Sequence, residues 1–148
     1  MSNTEQGSEI MKKVHSIYFI VSLIFMFSTM SAFAATHAES IQCTECGMTV
    51  DLNSKFSARI VTGKTTSYFC DIGDLFSYLK RTGMTSAGAE VKDYSTGEWL
   101  SAGKAFYVHD DTKFKSPMGW GIAAFNEKTR AASAGAVLDF DSTAKSLK

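Results

Sequence analysis

The 148-residue sequence lacks an excess of charge of either sign, because 15 lysines and arginines are matched by 15 aspartates and glutamates. Residues 1–34 hold two basic and two acidic side chains, so the rest of the chain keeps the same balance. Nucleic acids and anionic membranes attract proteins mainly through clustered positive charge. The composition therefore argues against both as binding partners.

Proline and cysteine are scarce as well. Pro117 is the only proline, and no low-complexity linker divides the chain. The three cysteines all lie between Cys43 and Cys70. An odd, clustered set is not a disulfide framework, although one disulfide with one thiol left over is the default in an oxidising compartment. The roughly 110 residues after position 34 suffice for one modest domain or for two small lobes that share a core.

The sequence has no apolar run long enough to cross a membrane. Its main run, residues 17–30, would extend about 21 Å as a helix, against about 30 Å of hydrocarbon. Lys12 and Lys13 precede this run, and small residues around Ala34 follow it. This order is typical of a cleaved signal peptide. We predict a signal peptide over residues 1–34, with cleavage after Ala34 or Ala38, and one folded region over residues 35–148.

The first cysteine is not a convincing lipid attachment site. A lipobox needs small residues directly before the cysteine, whereas Ile41 and Gln42 precede Cys43. We therefore expect a periplasmic protein that lacks a firm membrane anchor. Proximity to the membrane and the oligomeric state stay open.

Alternating apolar residues around a glycine turn predict a β-hairpin in the first half, with strands over 56–61 and 65–70. Asp71 is a suitable N-cap for a short amphipathic helix that ends near Gly83. Residues 90–94 predict the next strand.

The second half repeats this order more loosely. Residues 105–109 and 121–125 predict two strands, Asn126 an N-cap, 129–134 a helix and 136–140 a last strand. We predict an α+β fold of two small pseudo-repeated β-β-α-β units packed together, with lobes over about 43–94 and 99–141.

Sulfur-bearing side chains form the candidate metal site. Cys46 and Met48 would face the same side if the backbone there is extended, and Met118 lies in a loop between Pro117 and Gly119. Thiolate and thioether are soft donors that favour monovalent copper over hard cations. A single methionine more often packs in the hydrophobic core than binds a metal. Met48 and Met118, however, lie beside glycines and do not belong to the apolar face of a predicted helix.

Three further residues are weaker candidates. Cys43 is a ligand, a disulfide partner of Cys70, or neither. Cys70 is expected to be buried as a small apolar residue, since Asp71 and Asp74 oppose a thiolate there. His109 is expected to be a surface histidine, with a role as an additional ligand as the alternative.

Two other functions compete with copper binding. An exported thiol-disulfide oxidoreductase would use Cys43 and Cys46, although the pair does not start a helix. A purely structural domain would be stabilised by a disulfide or by a bound zinc ion, and a structural zinc site needs four donor atoms. No catalytic motif appears, so we predict a protein that is not an enzyme.

Further motifs accompany the candidate site along the chain: Cys46-Gly47-Met48, Phe69-Cys70-Asp71, Asp74-Leu75-Phe76, Tyr78, Val91-Lys92-Asp93-Tyr94, Trp99, Ala102, Ala105-Phe106-Tyr107-Val108, Pro117-Met118-Gly119 and Ala124-Phe125. Taken together, these motifs resemble the NosL family of nitrous oxide reductase accessory proteins. The resemblance implies an exported chaperone that binds monovalent copper and delivers it for assembly of the copper-sulfide centre of nitrous oxide reductase. It also implies two related β-β-α-β lobes, similar to part of organomercurial lyase. The copper ligands would be Cys46, Met48 and Met118, with an imidazole or water completing the shell.

Overall fold

The computed structural model describes residues 40–147. The predicted signal peptide over residues 1–34 lies outside the described residues. The described residues belong to one compact unit. Among the described residues, no helix is both long and apolar enough to cross a membrane.

A four-stranded antiparallel sheet in the order β2-β1-β3-β4 forms the first half. Its strands are β1 (Ala58–Thr62), β2 (Thr65–Phe69), β3 (Ala89–Lys92) and β4 (Trp99–Ser101). The predicted hairpin is confirmed, with Ala58 opposite Phe69 and both side chains buried. The strand β4 was not predicted, because it has only three residues and pairs with β3 without an alternating pattern of its own.

Helix α1 (Ile72–Thr82) follows β2 directly, as predicted. The Asp71 side chain accepts a hydrogen bond from the Gly73 N–H, and the helix ends at Gly83. The apolar face of α1 is buried in the core, which places the start of the helix beside the end of β2.

The second half contains a two-stranded antiparallel sheet of β5 (Phe106–His109) and β6 (Ile122–Phe125), followed by helices α2 (Lys128–Ala134) and α3 (Phe140–Ser146). The N-cap position of α2 is Glu127, one residue later than predicted, and its side chain makes no capping hydrogen bond. The predicted strand over 136–140 is wrong: only Leu138 pairs, in a single bridge with Tyr107. Asp139 instead caps α3 by accepting the Ser142 N–H. The predicted pseudo-repeat stays a prediction. In the first half a strand, β3, follows the helix, whereas the second half ends on helix α3.

The main hydrophobic core draws on both halves of the chain. Phe69 and Leu75 from the first half share one buried cluster with Tyr107 and Ile122 from the second. Burial of one such large side chain contributes about 1.5–3 kcal/mol. The two sheets are also joined where Tyr94 donates its N–H to the Ala124 carbonyl. This shared core holds the end of β2 and the loop before β6 in fixed positions.

Candidate metal centre

The first two cysteines lie in a short hairpin that precedes β1. The Cys43 N–H donates to the Met48 carbonyl at 2.7 Å, and the Gly47 N–H donates to the Cys43 carbonyl at 2.9 Å. Gly47 has a φ of 76°, in the left-handed region that glycine adopts without strain. The premise of an extended backbone between Cys46 and Met48 is therefore wrong, because the chain turns at Gly47.

The hairpin is attached to both β2 and α1. Thr44 donates its N–H to the Tyr68 carbonyl at 2.8 Å, next to a bridge between Cys43 and Tyr68. Glu45 accepts hydrogen bonds from Ser77 at 3.1 Å and from Arg81 at 2.6 Å. The neighbouring guanidinium lowers the pKa of the Glu45 carboxyl. These contacts place the turn against the end of β2, where Cys70 lies.

Four donor atoms converge at this point. Sulfurs of Cys43, Cys46 and Cys70 and a carboxylate oxygen of Asp74 all lie within 4.8 Å of one another. The Cys46 and Cys70 sulfurs are 3.4 Å apart. Asp74 Oδ2 accepts the Cys43 thiol at 3.4 Å and the Cys70 thiol at 3.3 Å. All three cysteines are free thiols. Cys43, Cys70 and Asp74 are buried, and Cys46 is half-buried.

The protein environment favours the neutral form of two of these thiols. Burial, with added effects from neighbouring Cys46 and Asp74, raises the pKa of the Cys70 thiol well above its ordinary value of 9.0. Burial is also the main cause that raises the pKa of the Cys46 thiol. A metal ion binds thiolates, so it must displace these protons.

The loop that carries Met118 is attached to the start of α1, beside the thiols. The Met118 N–H donates to Asp71 Oδ2 at 3.0 Å, and the Trp120 indole N–H donates to Asp74 Oδ1 at 3.0 Å. Burial raises the pKa of Asp71, while hydrogen bonds from Ser116 and from backbone N–H groups oppose that shift. The two distant sulfur motifs thus meet at one helix N-terminus.

Gly73 explains how closely this loop approaches. A Cβ atom at position 73 would lie 2.0 Å from Trp120 Cγ, which is a forbidden distance. The absent side chain lets the indole lie against the first turn of α1.

The two methionines of the predicted site are on the surface. Met48 is 48% exposed and Met118 is 41% exposed. A methionine that only packs in the core would be buried. These two thioethers are instead accessible to a metal ion or to a partner. Cys46 is half-buried, and its sulfur contacts that of the buried Cys70.

His109 takes a different position from the thiols. It is exposed at the end of β5, where its Nδ1 lies 3.4 Å from the Ser146 hydroxyl. It is not a member of the four-donor cluster. The sequence pattern indicated Asp74 as an acid near the helix start that opposes a thiolate at Cys70, and it predicted neither Asp74 nor Trp120 as part of the site. The four-residue spacing from Cys70 to Asp74, one turn across the helix start, is the signal that could have identified Asp74.

Comparisons with known proteins agree with these motifs. The model of the NosL family matches residues 34–146. The crystal structure of the copper chaperone NosL from Shewanella denitrificans is similar, with a TM-score of 0.54 and 23% sequence identity over 68% of this chain and 87% of that chain. A search among curated proteins gave no match. Because the family model spans most of the sequence, the chain belongs to the NosL family.

Proposed function

We propose that this protein is a copper chaperone that carries monovalent copper on Cys46, Met48 and Met118. The observation that carries this proposal is that both soft-donor motifs are attached at the start of α1, with both thioethers exposed and the Cys46 thiol half-buried. Sulfur donors of this kind select monovalent copper. The copper is cargo, so the protein acts as a carrier and not as an enzyme.

An exposed set of few donors suits transfer. A closed site with four protein ligands retains its metal, whereas an open position admits an incoming ligand before the old ones leave. Met48 lies in the turn that follows Cys46 and Met118 lies in the loop attached to Asp71, and both side chains are exposed. The acceptor can therefore replace one thioether at a time while Cys46 still holds the ion.

The recipient we propose is nitrous oxide reductase, at the assembly of its copper-sulfide centre, in the periplasm after export by the signal peptide. The chain's membership of the NosL family supports this assignment. Its structural relative is described as a copper chaperone. The direct test is to mix the copper-loaded protein with metal-free nitrous oxide reductase, separate the two and measure copper in each. Copper that stays with the chaperone would contradict this recipient.

A structural zinc site is the second candidate. It is favoured by the four-donor set of three sulfurs and one carboxylate oxygen, which matches the number of ligands that zinc requires. In that function the exposed methionines would contribute nothing. A thiol-disulfide oxidoreductase is less well supported, because the raised pKa values of Cys46 and Cys70 disfavour the thiolate that such an enzyme needs.

The experiment that separates these functions is a titration of the reduced protein with monovalent copper against a competing chelator. We expect Cys46→Ser, Met48→Leu and Met118→Leu each to lose tightly bound copper. Met84→Leu is the matched control, because Met84 is equally exposed at 41% but follows the end of α1. If the methionine variants bind as the unmodified protein does, or zinc displaces copper, the chaperone proposal fails.

A further inference from the structure

The proposed copper position makes no use of a groove that lies between α1 and α3. Phe76 and Leu79 line this groove from α1, and Phe140 and Ala144 line it from α3. The spacings of three and four residues place each pair on one face of its helix. The groove has a volume of about 720 Å³, which is in the usual range of sites that take another molecule.

The groove has an apolar floor and a charged rim. Phe76 and Leu79 in the floor are buried, whereas Lys80, Asp141 and Lys145 at the rim are exposed. Among residues 40–147, neither lysine forms an ion pair with a carboxylate. Two unpaired cations and one carboxylate give the rim a positive balance, which favours an occupant with acidic side chains.

Met84 extends the apolar surface at one end of the groove. Gly83 has a φ of 69°, and the Met84 N–H donates to the Leu79 carbonyl at 3.1 Å, so the backbone holds Met84 directly beyond the last turn of α1. Met84 is nevertheless 41% exposed. Methionine is flexible and polarizable, and it adapts to apolar partners of different shapes. A partner seated in the groove would cover this side chain.

Two smaller depressions lead from the groove to the loop that carries Met118. The first, of about 130 Å³, shares Phe76 and Leu147 with the groove and reaches Trp120. The second, of about 290 Å³, shares Trp120 and Leu147 with the first and reaches Gly119. A partner that fills the groove therefore lies next to the loop that displays a thioether.

We propose that this groove is the docking site for the protein that receives the copper, and that its occupant is an amphipathic helix of that protein. This inference rests on the proposed function, since it assumes that the chain passes copper to a partner. The apolar floor takes the apolar face of the helix, and Lys80 and Lys145 pair with acidic side chains beside that face.

The shape of the groove favours a helix as its occupant. The walls are helices and not a strand edge, so side-chain packing and not main-chain pairing holds the occupant. From Phe76 to Gly83 the chain rises about 10 Å, so about two turns of a partner helix cover the groove. Asp111 lines the depression nearest Met118, which confines the preference for acidic side chains to the end between α1 and α3.

The test is the rate at which the copper-loaded protein transfers copper to metal-free nitrous oxide reductase, the recipient proposed above. We expect Met84→Glu and the double variant Lys80→Glu/Lys145→Glu each to slow transfer at low protein concentration at least about tenfold. Copper affinity in chelator competition should stay that of the unmodified protein. Val61→Glu and Lys64→Glu are the controls, because both residues are exposed on the hairpin of β1 and β2.

A designed peptide provides a second measurement that needs no copper. The peptide is a helix of about four turns with leucines on one face and glutamates on the other. In Trp99→Phe, emission from Trp120 reports its binding, because Trp120 lines the neighbouring depression. We expect saturable binding that weakens at least about tenfold in the groove variants and in a peptide with lysines in place of the glutamates.

Thermal melts of the variants separate docking from stability. Lys80 and Lys145 lie in the last turns of their helices, where a positive charge is favourable without any partner. Met84 follows the end of α1, so Met84→Glu tests the groove without this effect. Slower transfer by both variants at unchanged copper affinity therefore supports docking.

The possible results separate this inference from the function on which it rests. Transfer by the groove variants at the unmodified rate would overturn the docking site and leave the chaperone proposal intact. If the unmodified protein delivers no copper to nitrous oxide reductase, the proposed recipient fails and the peptide decides, since a lack of saturable binding would then overturn the groove.

Two other occupants would also overturn the proposal. Binding to vesicles of anionic phospholipid that is lost in Lys80→Glu/Lys145→Glu would assign the groove to a membrane surface. A dimer in sedimentation that Met84→Glu dissociates would assign it to a second copy of this chain.

Discussion

The backbone N–H of Met118 donates to the carboxylate of Asp71 at 3.0 Å, across 47 residues of sequence. Asp71 is also the N-cap of α1 and directly follows Cys70. One buried side chain therefore fixes both the start of the helix and the loop that displays the second thioether. The position of Met118 relative to the thiols depends on this hydrogen bond.

Replacement of this carboxylate should affect stability and copper binding together. In Asp71→Ala, loss of the cap costs about 0.5–2 kcal/mol of unfolding free energy, and loss of the hydrogen bond from Met118 costs about 1 kcal/mol more. We expect copper affinity to fall at least about tenfold, which corresponds to about 1.4 kcal/mol, because the loop is released. Urea unfolding and chelator competition measure the two effects.

A second N-cap provides the control for this change. Asp139 caps α3 in the same way, by accepting the Ser142 N–H at 2.7 Å, but it is not among the four donor residues of the thiol cluster. Asp139→Ala should reduce stability and leave copper affinity unchanged. Equal losses of copper affinity in both variants would mean that global stability, and not the loop, controls binding.

The two tryptophans offer a direct optical readout of the site. Trp120 donates to Asp74, whereas Trp99 lies in β4, where the cationic groups of Arg59 and Lys92 contact its ring. An ion bound by the thiols is close to the first indole only. We expect copper to change the emission of the unmodified protein and of Trp99→Phe, and to leave that of Trp120→Phe nearly constant.

The same variants test the role of the indole hydrogen bond. Trp120→Phe leaves Asp74 Oδ1 without its donor in a buried environment, which costs about 1–3 kcal/mol of unfolding free energy. A copper-dependent signal that disappears in Trp99→Phe but persists in Trp120→Phe would place the ion elsewhere.

The sequence was informative where local chemistry determines the structure, as at the hairpin of β1 and β2 and at the Asp71 cap. It was misleading at residues 136–140, where an apolar alternation looks like a strand but Asp139 caps a helix. The convergence of Asp74 and Trp120 could not be predicted in the same way, because their contact joins residues 46 positions apart. Such contacts follow from the shared core and not from any local pattern.

Copper affinity should rise with pH. The environment raises the pKa values of Cys46 and Cys70, so both thiols are protonated near neutral pH in the metal-free protein. Binding must displace those protons, and the apparent association constant then increases about tenfold per pH unit for each proton released. Competition titrations between pH 6 and 8, corrected for the chelator's own protonation, measure this slope. A flat profile would show that thiolates exist before the metal binds.

The metal-free protein should lose stability at alkaline pH for the same reason. A folded-state pKa above the unfolded value of about 9 favours the protonated thiol in the folded state. The stabilisation is complete below that value and is lost as the pH rises through it toward the folded pKa. Cys70→Ser should therefore show a shallower decline in unfolding free energy between pH 8 and 10. An identical decline in both proteins would assign the effect to another group, such as Tyr107, whose pKa is also raised by burial.

The close approach at Gly73 gives the last prediction. Gly73→Ala would place a methyl group 2.0 Å from Trp120 Cγ, so the indole and its loop must move away from α1. Overpacking of this kind costs about 1–3 kcal/mol of unfolding free energy. Displacement of the loop should also weaken the hydrogen bonds to Asp71 and Asp74 and lower copper affinity. Gly103→Ala is the control, because its methyl group would meet only the Ser86 side chain. If Gly73→Ala binds copper as tightly as Gly103→Ala does, the Met118 loop does not need its position on α1 to supply a ligand.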